Sequence, residues 1–193
     1  MTDEALIREA RKGDDQAFKE IVRRYEPKVA ATVIGMMGGG PEAEDVGQEV
    51  FVRFYTRLDH FQGASALGTY LTRIAINLSL NALKKRKRRR SLFWEKSVEA
   101  YAVPSDNSVL PYDEKRAIVR QMLQRLSPEF RSVIVLRIME GYSTRETAEI
   151  LNIREGTVLS RLARGQRKMK TWLMPYYGDE YGCKRSRPVA SVV

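Results

Sequence analysis

Seven consecutive cations, KKRKRRR at residues 84–90, are the most concentrated chemistry in this sequence. A second basic stretch, residues 116–174, holds 12 basic and 5 acidic groups, while residues 91–115 between the two hold 2 basic and 5 acidic groups. Cations gathered in this way bind polyanions by displacing the counterions around phosphates. The pattern predicts a polyanion held at two points; the alternative is a set of basic helix faces that only keep the protein in solution.

Groups that make or break bonds are sparse. The chain has one histidine, His60, and one cysteine, Cys183, so neither a Cys/His metal site nor an internal disulfide is expected. The carboxylates are scattered rather than clustered, which argues against a catalytic centre. We therefore expect a binding protein and not an enzyme, with no catalytic residues, no metal and no cofactor.

The expected compartment is the cytoplasm. No apolar run is long enough to span a bilayer, so membrane insertion is not expected. The first residues, MTDE, are acidic where a secretory signal would be basic and then apolar.

Apolar spacing predicts a helical module at the N-terminal end. A short helix is expected over residues 3–11. The next helix starts at a cap, Asp14 or Asp15, and contains Pro27, where a kink or a break is expected because proline lacks the helical N–H. Glycines 38–40 end this helix.

Two further helices complete this module, which covers residues 1–90. Pro41 suits the first turn of a third helix that should reach Asp59, and a loop then leads to a fourth helix that runs into the basic residues. Each helix carries an apolar stripe at helical spacing. The stripe residues are Val46, Val50, Phe51, Phe54 and Leu58 in the third helix and Leu67, Leu71, Ile74, Ala75 and Leu78 in the fourth.

The fold class expected for the whole chain is all-α, with two small helical domains joined by a flexible linker. The acidic linker is residues 91–115, where prolines and polar residues interrupt the periodicity. The second module is residues 116–174, and residues 175–193 form a tail without a clear period.

Helical signals resume at about Asp113, just before the second module. Ser127-Pro128-Glu129 predicts a helix start with the serine as cap, and Gly141 predicts the end of that helix. The residues expected to be buried by this helix are Phe130, Val133, Ile134 and Ile138.

Residues 143–170 have the pattern of a helix-turn-helix. Ser143 and Glu146 can form a capping box at the start of the first helix, and Asn152 can take the left-handed conformation that ends it. The second helix, from about Glu155, would enter the DNA major groove and read base edges. The residues expected to face DNA are Arg154, Glu155, Thr157, Ser160, Arg161 and Arg164, with Lys168 placed for phosphate. The alternative is an ordinary helical hairpin with a solvated basic face.

Three segments resemble extracytoplasmic-function (ECF) sigma factors, which are group IV of the sigma-70 family. They are EDVGQEVFVRFYTRLDHF at 44–61, FQGASALGTYLTRIAINLSLNAL at 61–83 and EGTVLSRLARGQRKMK at 155–170. The resemblance implies sigma regions 2 and 4, and an alternative sigma factor that binds core RNA polymerase, directs it to specific promoters and helps to open the DNA. A helix-turn-helix repressor or activator that acts without docking on core polymerase is the alternative function.

The resemblance also implies roles for residues of the first module. Asp45, Gln48 and Glu49 would dock on the clamp helices of the largest polymerase subunit, and we expect the neighbouring Phe51 to lie in the core. The −10 element would meet Phe61, Gln62, Ser65, Ala66, Leu67, Thr69, Tyr70, Arg73 and Asn77. Tyr70 either stacks on a base or packs inside the module. The phosphate contacts would be Lys84, Lys85, Arg86, Lys87 and Arg88.

For the second module, the resemblance implies recognition of the −35 element by the helix that begins near Glu155, and contact with the flap region of the polymerase. The two free modules are expected to adopt several arrangements, and polymerase would hold them at the spacing of the promoter elements. An anti-sigma factor is a further partner expected by analogy with the family.

Overall fold

The computed structural model describes residues 1–92 and 112–177, and all regular structure within these ranges is helical. The all-α prediction is confirmed. The N-terminal module contains α1 (Asp3–Arg11), α2 (Asp15–Met37), α3 (Pro41–Thr56), a 3-10 turn (Leu58–His60) and α4 (Leu67–Leu92). The C-terminal module contains α5 (Tyr112–Arg125), α6 (Pro128–Ile134), a π turn (Val135–Met139), α7 (Thr144–Leu151) and α8 (Glu155–Tyr177). The predicted linker and tail lie largely outside the described residues, and the module boundaries stay predictions.

Local signals explain where the first helices begin and end. Asp14 is the cap of α2, and its carboxylate accepts from the backbone N–H groups of Gln16 at 2.8 Å and Ala17 at 3.2 Å. Gly38 ends α2 with φ 82°, a conformation that glycine adopts without strain. Pro41 occupies the first turn of α3, as predicted.

α2 continues through Pro27 as one helix. The alternative of a break at this position is therefore wrong. A proline removes one backbone hydrogen bond from the helix. Ile21 and Val29, on either side of it, are buried in the core between α2 and its neighbours, and this packing keeps the helix continuous.

The π turn at Val135–Met139 corrects a second prediction. Ile138 was expected in the buried stripe, but it is 58% exposed. The Glu140 N–H donates to the Val135 oxygen at 2.9 Å, a five-residue spacing that widens the turn and shifts the register of the side chains. Val135 and Leu136 consequently fill the core, and Ile138 faces outward.

The start of α6 also differs in detail from the prediction. Ser127 occupies the cap position, but its side chain makes no capping hydrogen bond. Its backbone oxygen accepts from the N–H groups of Phe130 and Arg131, each at 3.0 Å. The start signal therefore acts through Pro128 and the backbone.

The two modules pack directly on each other. α2 contacts α5, α6 and the π turn, while α4 contacts α6 and α7. One continuous hydrophobic core includes Val29 and Leu71 of the first module and Leu136 of the second. Gly35 permits the closest approach, because a Cβ there would lie 3.0 Å from the Val135 side chain. Of the several arrangements expected for the free modules, the structure shows a packed one.

The C-terminal end of α2 is capped by the second module. α2 has no basic residue in its last turn. The Gln124 side-chain amide donates to the Gly35 oxygen at 3.1 Å, and the Arg131 guanidinium donates to the Met36 oxygen. A cation at this end of a helix also complements the helix dipole. Carbonyl groups that the helix itself leaves without partners thus receive donors from 89 and 95 residues further along the chain.

Candidate nucleic-acid interface

α7 and α8 form the predicted helix-turn-helix. The Ser143 hydroxyl accepts from the Glu146 N–H at 3.2 Å, and the Glu146 carboxylate accepts from the Ser143 N–H at 2.8 Å. Hydrogen bonding from the Ser143 side chain, and then from its backbone N–H, lowers the pKa of the Glu146 carboxyl group. Asn152 ends α7 in the left-handed region, with φ 51° and ψ 53°. The capping box and the turn residue are both confirmed.

Apolar contacts determine which face of α8 points inward. Val158 packs with Val133 of α6 and Ala148 of α7, and all three are buried. Two turns further along, Gly165 lets α8 pass close to α6, because a Cβ there would lie 3.2 Å from the Ile134 side chain. α8 is held at both places, so its other face is presented to solvent.

The predicted −35 residues lie on or beside this solvent face. Arg154, Glu155, Ser160, Arg164 and Lys168 are exposed, and Thr157 and Arg161 are half-buried. The Ser160 hydroxyl donates to the Thr157 oxygen at 3.1 Å, and the Lys168 ammonium lies 5.2 Å from the centre of the Phe130 ring. The structure places these residues on α8, except Arg154, which directly precedes it, and their contacts with DNA stay predictions.

Leu159 is an exposed apolar residue on the same helix that the sequence analysis did not single out. It follows Glu155 by four residues, so the two lie on one face of α8. An apolar side chain at this place suits the methyl group of thymine. The four-residue spacing was the signal that could have found it.

The predicted −10 residues separate into buried and accessible ones. Phe61 and Leu67 are 8% and 3% exposed and belong to the hydrophobic core. In this arrangement they anchor the two ends of loop 61–66 and are not open to a ligand, and their −10 role stays a prediction. The accessible candidates are Gln62, Ala66 and Asn77, which are exposed, and Ser65, Thr69, Tyr70 and Arg73, which are half-buried.

Tyr70 lies at the edge of an aromatic cluster. Its ring centre is 4.9 Å from that of Phe61 and 6.0 Å from that of Phe54, both in edge-on geometry. The side chain nevertheless remains half-buried rather than enclosed. The two alternatives for Tyr70 are therefore compatible, since it packs inside the module and keeps part of its surface open.

Arg73 lies one turn after Tyr70 on α4. Its Nε is buried and has no hydrogen-bond partner in the described residues. Buried donors are usually paired, so an unpaired one calls for an explanation. The −10 role of Arg73 stays a prediction.

The basic residues extend α4 as predicted. Lys84, Lys85, Lys87 and Arg88 are exposed, and Arg86 is half-buried. Arg89 pairs with Glu42 of α3 through a contact of 3.5 Å. The basic run thus lies on a helix, and Glu42 of α3 provides a carboxylate near the C-terminal end of the run.

The three residues predicted to dock on polymerase lie on α3. Asp45 and Gln48 are exposed, while Glu49 is half-buried and pairs with Arg53 at 2.8 Å. Phe51 is buried in the core, as predicted.

Two exposed apolar residues continue the face formed by Asp45 and Gln48. Val52 and Tyr55 are 55% and 50% exposed, and the four residues follow one another at intervals of three or four, which places them on one side of α3. Tyr55 also packs on Phe18, with ring centres 4.8 Å apart. A mixed polar and apolar stripe of this kind suits a protein partner. The spacing could have revealed Val52 and Tyr55 from the sequence.

An apolar groove with a volume of about 280 Å³ lies beside this stripe, between α2 and α3. Its walls include Val22, Val29 and Ile34 of α2 and Gln48 and Phe51 of α3. Gln48 therefore belongs both to the stripe and to the groove.

Within residues 1–92 and 112–177, no three histidine, cysteine, aspartate or glutamate side chains are grouped so that they could hold a metal ion. No helix in the part of the chain that the structure describes has the length and apolar character needed to cross a membrane.

Comparisons with known proteins assign the family. Residues 21–89 match the family described as Sigma-70 region 2, and residues 116–169 match Sigma-70, region 4. The ECF RNA polymerase sigma factor SigW of Bacillus subtilis (strain 168) is 35% identical over 176 residues, which cover 86% of this chain and 94% of SigW. The chain belongs to the ECF sigma factors of the sigma-70 family. The sequence resemblance to this family is confirmed.

Further relatives agree with this assignment. The sigma factor is 33% identical to the ECF RNA polymerase sigma-E factor of Escherichia coli (strain K12) over 184 residues, 91% of this chain and 96% of the relative. The fold of this chain is similar to that of the sigma factor RpoE in a co-crystal structure with the anti-sigma factor NepR from Bartonella quintana. That match has a TM-score of 0.65 and 25% identity, and covers 81% of this chain and 96% of the other. CnrH in complex with the cytosolic domain of CnrY is similar with a TM-score of 0.64 and 25% identity, over 89% and 96% of the two chains.

As an ECF sigma factor, the protein is an alternative sigma factor that binds core RNA polymerase and directs transcription from promoters. The repressor or activator alternative has no support among these relatives.

Proposed function

We propose that this sigma factor reads two promoter elements through separate surfaces while α3 holds it on core polymerase. The observation that carries the proposal is one chain with an exposed helix-turn-helix face on α8 and an accessible loop 61–66 beside Tyr70. The first surface suits duplex DNA, and the second suits bases that have left the stack.

In this proposal α8 supplies recognition of the −35 element. Arg154 directly precedes this helix, and its first turns carry Arg161 and Arg164 among smaller polar residues. Arginine can pair with a guanine through two hydrogen bonds, whereas Lys168, near Phe130, is placed for a backbone phosphate.

The loop 61–66 and the first turns of α4 receive the opened non-template strand of the −10 element. Taking a base out of the stack costs a few kcal/mol, which aromatic stacking and new hydrogen bonds offset. Tyr70 supplies the open ring, Arg73 a half-buried guanidinium, and Asn77 an exposed amide. Lys84 to Arg88 hold the phosphates of the adjoining duplex.

Docking uses the stripe of Asp45, Gln48, Val52 and Tyr55, together with the half-buried Glu49. Its carboxylates suit a basic partner surface, which we assign to the clamp helices of the largest polymerase subunit, and its apolar residues exclude water from the contact. The flap region contacts the C-terminal module.

The chain binds and does no bond-making chemistry in this mechanism, and it acts in the cytoplasm, where the chromosome is transcribed. An anti-sigma factor is a further proposed partner. The solved complex of the sigma factor RpoE with the anti-sigma factor NepR, whose sigma chain shares this fold, supports that part of the proposal.

The test is transcription from fragmented genomic DNA of the native host by purified core polymerase, with and without the protein. New start sites that share two sequence elements are expected only when the protein is present. The proposal would be refuted if the protein did not bind the core enzyme and produced no new start site.

The docking surface is tested separately by Asp45→Lys, which reverses one charge of the stripe. We expect core binding at least tenfold weaker, since like charges across an interface repel. Glu4→Lys makes the same charge change at an exposed residue of α1 and is expected to leave core binding unchanged. Equal core binding by wild type and Asp45→Lys would exclude the stripe as the contact.

A further inference from the structure

Arg11, the last residue of α1, donates to two backbone oxygens at the entrance to loop 61–66. Its Nε donates to the Leu58 oxygen at 3.1 Å, and its Nη2 donates to the Phe61 oxygen. Leu58 opens the 3-10 turn and Phe61 follows its last residue, so one guanidinium spans the turn. Arg11 also precedes the segment 21–89 that matches sigma-70 region 2.

Loop 61–66 has few backbone bonds of its own. Among the described residues, no backbone-to-backbone hydrogen bond involves residues 62–65. Gly63 takes φ 70°, a left-handed conformation that most side chains disfavour. A segment of this kind must be held from its ends. The Phe61 ring is held by Phe54 and Tyr70, and the Phe61 carbonyl is held by Arg11.

We propose that Arg11 is a positioning residue for reading the opened −10 strand, an inference that rests on the function proposed above for loop 61–66. Arg11 acts through the backbone of Phe61 and has no contact with DNA in this mechanism. By fixing the point from which Gln62 departs, it sets where the accessible side chains of the loop lie before the strand arrives.

Such fixing affects selectivity more than affinity for phosphate. A loop that is ordered in advance loses less conformational freedom on binding. It also holds its hydrogen-bonding groups in one geometry, which fits one base better than another. Loss of Arg11 therefore reduces discrimination between sequences and leaves the charge-driven part of binding in place.

The side chain has to be an arginine for this purpose. The guanidinium is a planar fork that can donate in two directions at once, whereas a lysine ammonium is a compact charge on a flexible stem. Lysine at position 11 preserves the charge and one of the two bonds, so Arg11→Lys is expected to fall between wild type and Arg11→Ala.

The experiment compares Arg11→Ala, Arg11→Lys and the control Arg8→Ala as complete sigma factors bound to core polymerase. Arg8 lies one turn earlier on α1, is exposed and pairs with Glu9 at 3.4 Å, so its loss removes the same charge from the same helix. The probes are two fork-shaped DNAs built on a promoter that the wild-type holoenzyme selects. One carries the native single-stranded −10 bases, and the other carries them scrambled.

Arg11→Ala is expected to lower the preference for the native probe by about five- to tenfold. Arg8→Ala is expected to keep the wild-type preference, and all variants are expected to bind a −35 duplex as the wild type does. An unchanged preference in Arg11→Ala overturns the proposal. Equal weakening on both probes, or the same loss in Arg8→Ala, overturns it as well, because a charge effect would then suffice.

If Arg11→Ala does not fold, the proposal is tested by amide hydrogen exchange of residues 61–66 in Arg11→Lys, compared with wild type. Faster exchange than in wild type supports the proposal, and identical exchange overturns it. A wild-type holoenzyme that does not prefer the native probe would refute the function proposed for the loop itself, and this outcome is visible without any Arg11 variant.

Discussion

The hydroxyl of Tyr142 donates a hydrogen bond of 3.0 Å to the hydroxyl of Thr72, a residue 70 positions earlier in the chain. Tyr142 lies just before α7 in the C-terminal module, Thr72 lies in α4 of the N-terminal module, and both are buried. The ammonium of Lys28 in α2 lies 4.9 Å from the centre of the Tyr142 ring. The modules are therefore joined by specific polar contacts as well as by apolar packing.

Tyr142→Phe and Thr72→Val each remove one partner of this bond. Each change is expected to lower the free energy of unfolding by about 1 kcal/mol, because the remaining hydroxyl stays buried without its partner. The double variant should lose less than the sum of the two. Urea denaturation of the four proteins measures this coupling, and strictly additive losses would show that the bond contributes nothing.

Arg131 is expected to be among the most sensitive positions in the protein. It is 5% exposed, and burial, with a smaller contribution from Arg86, lowers its pKa to about 10. Its guanidinium donates to Gln124 Oε1 at 2.6 Å and to the Leu126 oxygen at 2.8 Å, besides the Met36 oxygen.

Arg131→Ala leaves these acceptors without a donor, so we expect a loss of about 3 kcal/mol or more in unfolding free energy. Arg145→Ala is the matched control, because Arg145 is exposed and pairs only at the surface with Glu149. The control should change stability by about 0.5 kcal/mol or less. Similar thermal denaturation curves for the two variants would contradict the role assigned to Arg131.

Glu140, directly after the π turn, predicts a pH dependence. Burial raises its pKa, although Lys28 and Thr32 of α2 favour the ionised form. Between the usual pKa of 4.5 and the raised value, the folded state binds more protons than the unfolded state, so this group makes stability fall as the pH rises. Glu140→Gln should therefore gain stability relative to wild type from pH 4.5 towards neutrality. Urea denaturation at several pH values across this range measures both unfolding free energies. If the prediction were wrong, the difference between Glu140→Gln and wild type would not change with pH.

Arg161→Ala tests recognition by α8. We expect promoter binding by the holoenzyme to weaken by about 1–3 kcal/mol, with little change on random DNA of equal length. Arg167→Ala, an exposed arginine further along the same helix, controls for the loss of one charge. Equal losses on promoter and random DNA would make Arg161 a phosphate contact only.

Replacing Lys84, Lys85, Arg86, Lys87 and Arg88 with alanine tests the basic run. Each phosphate contact contributes about 0.9 to the slope of log affinity against log salt, so losing five contacts should reduce the magnitude of the slope by up to about 4.5. Arg89→Ala is expected to have a smaller effect, because Arg89 is paired with Glu42. DNA binding measured at several salt concentrations gives both slopes, and an unchanged slope would exclude the run as a phosphate contact.

Much of the helical architecture could be predicted because its signals are local. Asp14, Pro41, Ser143 with Glu146, and Asn152 act on backbone groups within a few residues, and the structure shows each in the predicted place. The same spacing rules predicted which residues of α8 face solvent, and they also apply to the exposed Leu159.

The remaining features depend on contacts between distant residues. The exposure of Ile138 follows from a π turn, whose extra residue leaves no mark in a helical pattern. An arginine would ordinarily be expected at the surface, and Arg131 is buried because backbone oxygens of two modules surround it. Arg11 likewise reaches a loop some 50 residues away. Each of these depends on which elements meet, and periodicity does not encode that.

Because Gln124 and Arg131 complete the last turn of α2, a fragment cut off before α5 is an altered molecule. Its α2 would end in unpaired carbonyls beside an uncovered Gly35, and its final turn should fray. Binding constants measured on such an isolated piece would therefore describe a loosened fragment, and dissecting the chain requires point substitutions in the intact polypeptide.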